Sequence, residues 1–197
     1  MKLCAVIVAG GRSSRMGREK AFALIRGRSI LERVTACLAP QVPAIVLNAN
    51  RGTERFCGLG HSVVADIRTD IATPLAGVHA ALAYGKETGC DAVLTVPCDA
   101  PFLPADLAAR LVAAGRPAAI AATSAQQHYL TGLWSTALLS SLASAMDKPL
   151  VPRLQDWQRM CDAAVVEWPV DPYDPFFNVN TPEDLAEAGR IAAEFNL

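Results

Sequence analysis

Two adjacent glycines, Gly10 and Gly11, end an apolar run (Leu3, Ala5, Val6, Ile7, Val8) and open a polar loop in which Arg12, Arg15, Arg18 and Lys20 place four cations within nine positions. Glycine lets the backbone take φ > 0 and come close to a ligand, so that successive main-chain N–H groups form an anion-holding nest. Only Glu19 opposes the positive charge, and the loop fits a polyanionic ligand. Further along, Asp99 stands between Pro97 and Pro101. Each proline locks its own φ and restrains its predecessor, so the Asp99 carboxylate is held in place. A cationic glycine loop and a fixed carboxylate are what metal-assisted phosphoryl or nucleotidyl transfer requires. Mg²⁺ takes oxygen ligands, commonly one or two carboxylates, and fills the rest of its shell with water and substrate phosphates. Asp99 is the expected metal ligand, with Lys20 and Arg15 stabilising the charge that develops on a leaving pyrophosphate. The chain has no GxSxG and no histidine placed beside a serine or cysteine in a recognised arrangement, so the attacking atom is expected to come from the substrate.

The named phosphate loops do not match. A P-loop reads GxxxxGK[ST], whereas Lys20 is followed by Ala21, and the dinucleotide fingerprint GxGxxG does not occur. Taken alone, the loop reads equally well as a solvated basic turn. The elements around it have to decide.

The run ending at Val8 reads as a buried strand. Ser29 is placed to cap a helix from Ile30, with Ile30, Leu31, Val34 and Leu38 at helical spacing and Pro40 and Pro43 beyond its end. Residues 44–50 (AIVLNAN) read as a second strand ending at Asn48 and Asn50, and an Asx turn is an equally good account of those asparagines. A short third strand over 62–65 ends at Asp66, a helix is expected over 75–84, and a fourth strand over 91–96 runs into Asp99. A helix over 103–114 and a small-residue strand over 118–122 follow, then an antiparallel strand at 129–134, helices at 137–146 and 152–160, and a strand at 164–167. Thr181 caps the last helix, with Pro182 at its first position and Glu183 and Asp184 in its first turn. Strand and helix alternating over the first 120 residues predict an α/β fold, a three-layer α/β/α sandwich on a mostly parallel sheet. In such sheets ligands bind outside the carboxyl ends of the strands. The glycine loop, Asn48, Asp66 and Asp99 all fall at those ends, a coincidence that independent turns would not produce.

Composition bounds the rest. The 197 residues are 52% hydrophobic and 19% charged with net charge −1, which fits one globular domain and argues against disorder and against a nucleic-acid surface. The N-terminal apolar run is too short for a membrane span and carries no cleavage pattern, so a cytoplasmic protein without a membrane partner is expected. Six cysteines lack any CxxC and the three histidines make no HxxxH, so buried thiols are expected in place of disulfides or a zinc site, Cys98 included.

With these residues in place, the run VAGGRSSRMGREK resembles the LAGGxSxRMGxDK signature of the molybdenum cofactor guanylyltransferases. PLAG (74–77), PCDAP (97–101) and NVNTPEDL (178–185) are similar to that family's later motifs, in the same order. The resemblance implies a Rossmann-like nucleotidyltransferase fold and transfer of GMP from GTP to the phosphate of molybdopterin, with Mg²⁺ as cofactor and pyrophosphate as co-product. It implies that Val8, Ala9, Gly10, Gly11 and Lys20 hold the nucleotide, that Asn48 and Asp66 complete the GTP site, and that Asp99 meets both nucleotide and metal. Arg153, Asn178 and Asn180 would lie on the molybdopterin side, dividing one domain into a GTP half (1–122) and a molybdopterin half (123–197). Other cofactor-biosynthesis proteins or acceptor molybdoenzymes are the protein partners it points to.

Three positions depart from the family pattern: Glu19 replaces the usual aspartate, Val8 replaces leucine, and Thr73 replaces the glycine that often precedes PLAG. The alternatives are a cytidylyltransferase or another nucleotidyltransferase of the same fold, a sugar nucleotidyltransferase among them, and a non-catalytic nucleotide- or cofactor-binding protein. The cytidylyl enzymes resemble LAAG early and DTPED late, so Gly10-Gly11 and Asn180 favour guanine. A non-catalytic binder would need neither Asp99 nor Lys20.

Overall fold

In the computed structural model the described residues are 1–9, 20–50, 56, 60–71 and 73–197. The strands are β1 (Leu3–Val8), β2 (Leu24–Ile25), β3 (Arg28–Ser29), β4 (Ile45–Asn48), β5 (Ser62–Val64), β6 (Ala92–Pro97), β7 (Ala118–Thr123), β8 (Gln127–Ser135) and β9 (Ala164–Trp168). The α-helices are α1 (Ile30–Leu38), α2 (Pro74–Glu87), α3 (Leu107–Ala113), α4 (Leu139–Met146), α5 (Leu154–Met160) and α6 (Pro182–Glu194). Seven strands form one sheet in the order β5-β4-β1-β6-β8-β7-β9, and β2 and β3 make a separate hairpin.

The first four strands of that order run parallel, and α1 and α2 lie in the β1–β4 and β5–β6 connections, as the alternating pattern predicts. Side chains alternate across β1: Ala5 and Ile7 pack with α1, α3 and α6 on one face, while Cys4 and Val6 pack with α2, α4 and α5 on the other. This is the period-2 rule applied to a strand buried on both faces, and it gives the three layers. The register aligns Val64, Asn48, Val8 and Pro97 in one row, so four parallel strands end together.

Three details depart from the sequence pattern or go beyond it. The fifth expected strand, β7, does not lie beside β6, because β8 inserts between them, antiparallel to both, while β9 pairs parallel to β7. The helix expected over 103–114 occupies only Leu107–Ala113. Pro101 and Pro104 remove two donors from its approach, and the Leu107 N–H closes a turn on the Pro104 carbonyl at 3.2 Å. The segment expected as a helix over 137–146 begins as a 3-10 turn (Thr136–Leu138) before α4.

The helix caps are as expected. Ser29 and Glu32 form a reciprocal capping box on α1, and Thr181 and Asp184 do the same on α6. The hairpin had no clear signal, since its turn sets Arg26 (φ 51°) as well as Gly27 (φ 81°) in the left-handed region, and arginine does not announce that conformation. Buried Arg33 of α1 ties the hairpin down by donating to the Ile25 carbonyl from both Nε (3.2 Å) and Nη2 (2.6 Å).

Candidate functional site

The row of strand ends carries the polar groups. Ala9 donates its N–H to the Asn48 carbonyl (2.8 Å) and Cys98 donates to the Val8 carbonyl (3.2 Å), which stitches the exits of β4, β1 and β6 together. The Asn48 side chain donates to Asp66 Oδ1 (2.9 Å) and Asn50 donates to Asp66 Oδ2 (2.6 Å), while the Asp66 N–H returns a bond to Asn50 Oδ1 (2.7 Å). The asparagines are therefore more than turn formers. They fix a carboxylate whose two oxygens, among the described residues, each accept one bond, from Asn48 and from Asn50.

Helix α2 presses on this row through Gly77. A Cβ there would sit 2.9 Å from both Asn48 Oδ1 and Val8 Cγ1, so only glycine lets the helix approach, which is the physical content of PLAG. Thr73, in the place of the family's more usual glycine, is the N-cap in extended geometry (φ −134°), where a side chain costs nothing.

Asp99 and Lys20 form the centre. The Lys20 ammonium lies 3.8 Å from Asp99 Oδ2 and donates to Asn180 Oδ1. Burial pushes the Asp99 carboxyl above its usual range, and the nearby Lys20 opposes that shift. Burial and then the Asp99 charge push the Cys98 thiol up to about 12, so it stays protonated and is no nucleophile. The NVN run owes its form to alternation: Val179 is fully buried and donates to the Asp99 carbonyl (2.9 Å), which turns Asn178 and Asn180 to the opposite side. Asp184 accepts from the N–H groups of Asn180 (2.8 Å) and Thr181 (2.9 Å), and these bonds hold its carboxyl below the usual range.

Beside this centre lies a cavity of about 510 Å³ that Asp99, Arg153 and Asn178 line together with Thr73, Pro74 and His128. The sequence reading did not single out His128. It comes from β8 where the ladder is broken: Ile120 pairs with Gly132 but Ala121 pairs with His128, so residues 129–131 bulge from the strand. Bulges of this kind often lie beside functional sites and re-aim side chains. His128 Nε2 and Asn178 Oδ1 are both buried without a hydrogen-bond partner among the described residues, and such an atom costs about 1–3 kcal/mol. Burial lowers the His128 pKa despite Asp174, so its imidazole is neutral at physiological pH.

Of the expected site residues, Lys20, Asp99 and Asn180 meet directly, Arg153 and Asn178 share the cavity with Asp99, and Val8, Ala9, Asn48 and Asp66 occupy the adjoining strand ends. Gly10, Gly11 and Arg15, with Glu19, lie outside the described residues. Among the described residues no three His, Cys, Asp or Glu side chains gather as a metal cage. Asp99 alone, partly desolvated at a cavity wall, fits a hard cation whose remaining ligands are water and phosphate oxygens.

Comparison with known proteins bears on this arrangement. Residues 5–168 match the MobA-like NTP transferase domain family. A molybdenum cofactor guanylyltransferase of Nitrobacter hamburgensis is 43% identical, covering 95% of this chain and 93% of its own length. Among solved structures, molybdopterin-guanine dinucleotide biosynthesis protein A of Archaeoglobus fulgidus superposes with TM-score 0.72 at 24% identity, covering 98% and 99% of the two chains. Rv0371c of Mycobacterium tuberculosis, solved in complex with manganese, gives TM-score 0.70 at 14% identity, covering 96% and 99%, a likeness of fold. A nucleotidyltransferase sheet that gathers Lys20, Asp99 and Asn180 at its strand ends, with family identity along nearly its whole length, places the chain among the molybdenum cofactor guanylyltransferases of the MobA-like NTP transferase family.

Proposed function

We propose that the chain transfers GMP from GTP to the phosphate of molybdopterin, giving the guanine dinucleotide cofactor and pyrophosphate. The observation that carries this reading is Lys20 held between Asp99 and Asn180, where the strand-end row meets the cavity. Val8, Ala9, Gly10, Gly11, Asn48 and Asp66 form the GTP side, and Arg153, Asn178 and Asn180 the acceptor side. The same division makes residues 1–122 and 123–197 the two halves of one domain.

An oxygen of the acceptor phosphate attacks the α-phosphorus of GTP. One P–O bond forms, the bond from the α-phosphorus to the bridging oxygen breaks, and pyrophosphate leaves with that electron pair. The acceptor is largely a dianion at neutral pH, since the second pKa of a phosphate monoester is about 6, so no side-chain base is required. Lys20, with Arg15 as its expected companion, offsets charge on the departing pyrophosphate. Mg²⁺ held by Asp99 would supply further neutralisation of phosphate oxygens. Among the described residues the Asn50–Asp66–Asn48 network leaves Asp66 lone pairs to accept from nucleoside donors. No helix among the described residues is long and apolar enough to cross a membrane, and the five described cysteines are all free, which supports a cytoplasmic setting.

Isotope-labelled GTP, incubated with Mg²⁺ and molybdopterin, tests the reading. The label from the α-phosphate is expected in the dinucleotide product and the label from the γ-phosphate in pyrophosphate. Retention of the α-label in GMP alone would overturn it.

A further inference from the structure

Residues 147–153 join α4 to α5 and lead into Arg153 and Leu154 at the cavity wall. Residues 66–71 lead from Asp66, on the nucleotide side, toward Thr73 and Pro74 on the same wall. Arg68 bridges these two segments. Its Nε and Nη2 donate to the two carboxylate oxygens of Asp70 (3.0 and 2.9 Å), and its Nη1 donates across 79 residues of chain to Asp147 Oδ1 (2.6 Å). The fork on Asp70 fixes the plane of the guanidinium, so the third donor is already aimed when Asp147 meets it.

Asp147 is poorly suited to a purely structural role. It is the C-cap of α4, where the negative end of the helix dipole disfavours a carboxylate. Its side chain is 70% exposed, so the ion pair adds little to the stability of the fold. What it restrains is the segment behind it. Among the described residues, 148–152 make no hydrogen bond, and Leu150 is 86% exposed. Pro149 and Pro152 lock their own φ and stiffen the run, and Val151 packs against the core. The far end is fixed by the cap of α5, where the Arg153 N–H donates to Asp156 Oδ2 (3.3 Å). We propose that Arg68, acting through Asp147, is a positioning residue that ties the acceptor-side segment 147–153 to the nucleotide-side loop 66–71 and so sets where Arg153 stands at the cavity. The inference rests on the nucleotide and acceptor sides assigned above and adds what joins them.

Asp147→Asn removes the charge and keeps the shape, and Asp147→Glu keeps the charge. In steady-state assays Asp147→Asn is expected to raise KM for molybdopterin about threefold, with KM for GTP unchanged and a thermal midpoint no lower than wild type. Asp147→Glu is expected to restore the wild-type KM. Arg68→Met frees Asp70 as well and is expected to raise both KM values about threefold. Adding Asp147→Asn to it should change the acceptor KM no further, because the two residues act as one unit. In 15N relaxation measurements on the substrate-free chain, the order parameters of Leu150 and Val151 are expected to fall from about 0.85 toward about 0.6 in Asp147→Asn. In a chain that turns over, an unchanged acceptor KM in Asp147→Asn would overturn the proposal, and a lowered midpoint beside it would make the pair a structural contact only. In a chain that forms no dinucleotide, falling order parameters would uphold the tie and contradict the transfer reading alone, whereas unchanged order parameters would overturn both.

Discussion

Lys20 is a single ammonium shared by Asp99 at 3.8 Å and the Asn180 side chain, and an incoming triphosphate competes with both for it. Removing a preorganised charge aimed at a developing oxyanion typically costs a factor of about 10²–10³ in kcat. Lys20→Met is therefore expected to lower kcat by about that factor in a pyrophosphate-release assay. Asp99 plays a different part. Its carboxyl is desolvated, so holding it charged works against the fold and is useful only where a cation meets it. Asp99→Ala is expected to abolish turnover while calorimetric titration still detects weakened GTP binding. Undiminished turnover would remove Asp99 from the metal site.

Two elements deliver these residues, α6 through its cap and α2 through its glycine. Asp184 serves both as the acidic half of the α6 capping box and as the anchor of the Asn180 N–H. Its carboxyl is held below the usual range by those backbone bonds, so the folded chain favours the charged form. The stability this contributes is present at neutral pH and is lost as pH falls through and below the ordinary carboxylate range near about 4. Asp184→Ala is expected to lose about 1 kcal/mol in urea melts at pH 7, and the deficit should shrink as pH drops from about 4 toward 2. Because Asn180 is released with the cap, kcat should fall as well, which a purely structural cap would not cause. Gly77→Ala drives a Cβ to 2.9 Å from Asn48 Oδ1 and Val8 Cγ1. Overpacking of this kind costs about 1–3 kcal/mol, and it is expected to appear as a lower thermal midpoint together with weaker GTP binding.

At the scale of the whole molecule, the legible features were those encoded locally. β1, α1 and α6 follow from an apolar run and two capping boxes, and the carboxyl-end rule then collects Asn48, Asp66 and Asp99 without any knowledge of contacts. The insertion of β8 between β6 and β7 was not legible, because it depends on partners far apart in the chain. Thr95 of β6 accepts from Trp134 Nε1 (2.9 Å) and donates to the Leu130 carbonyl (2.7 Å), interactions that no local pattern announces. The place of His128 in the cavity wall was missed for the same reason, since it depends on packing against Phe176 and on a bulge that only the assembled sheet creates. The residues of the strand-end row were found by rule, Arg153 and Asn178 of the cavity wall by family resemblance, and His128 only by geometry.

That division bears on the central claim, which joins a nucleotide half to an acceptor half at Lys20 and Asp99. The most direct measurement is pyrophosphate release by the purified chain with Mg²⁺ and molybdopterin, run in parallel with GTP, CTP and ATP and followed by analysis of the pterin product. The account predicts pyrophosphate and guanine dinucleotide formed in equal amounts with GTP, and background rates with the other two nucleotides. A clear preference for CTP, or pyrophosphate released without consumption of molybdopterin, would contradict it.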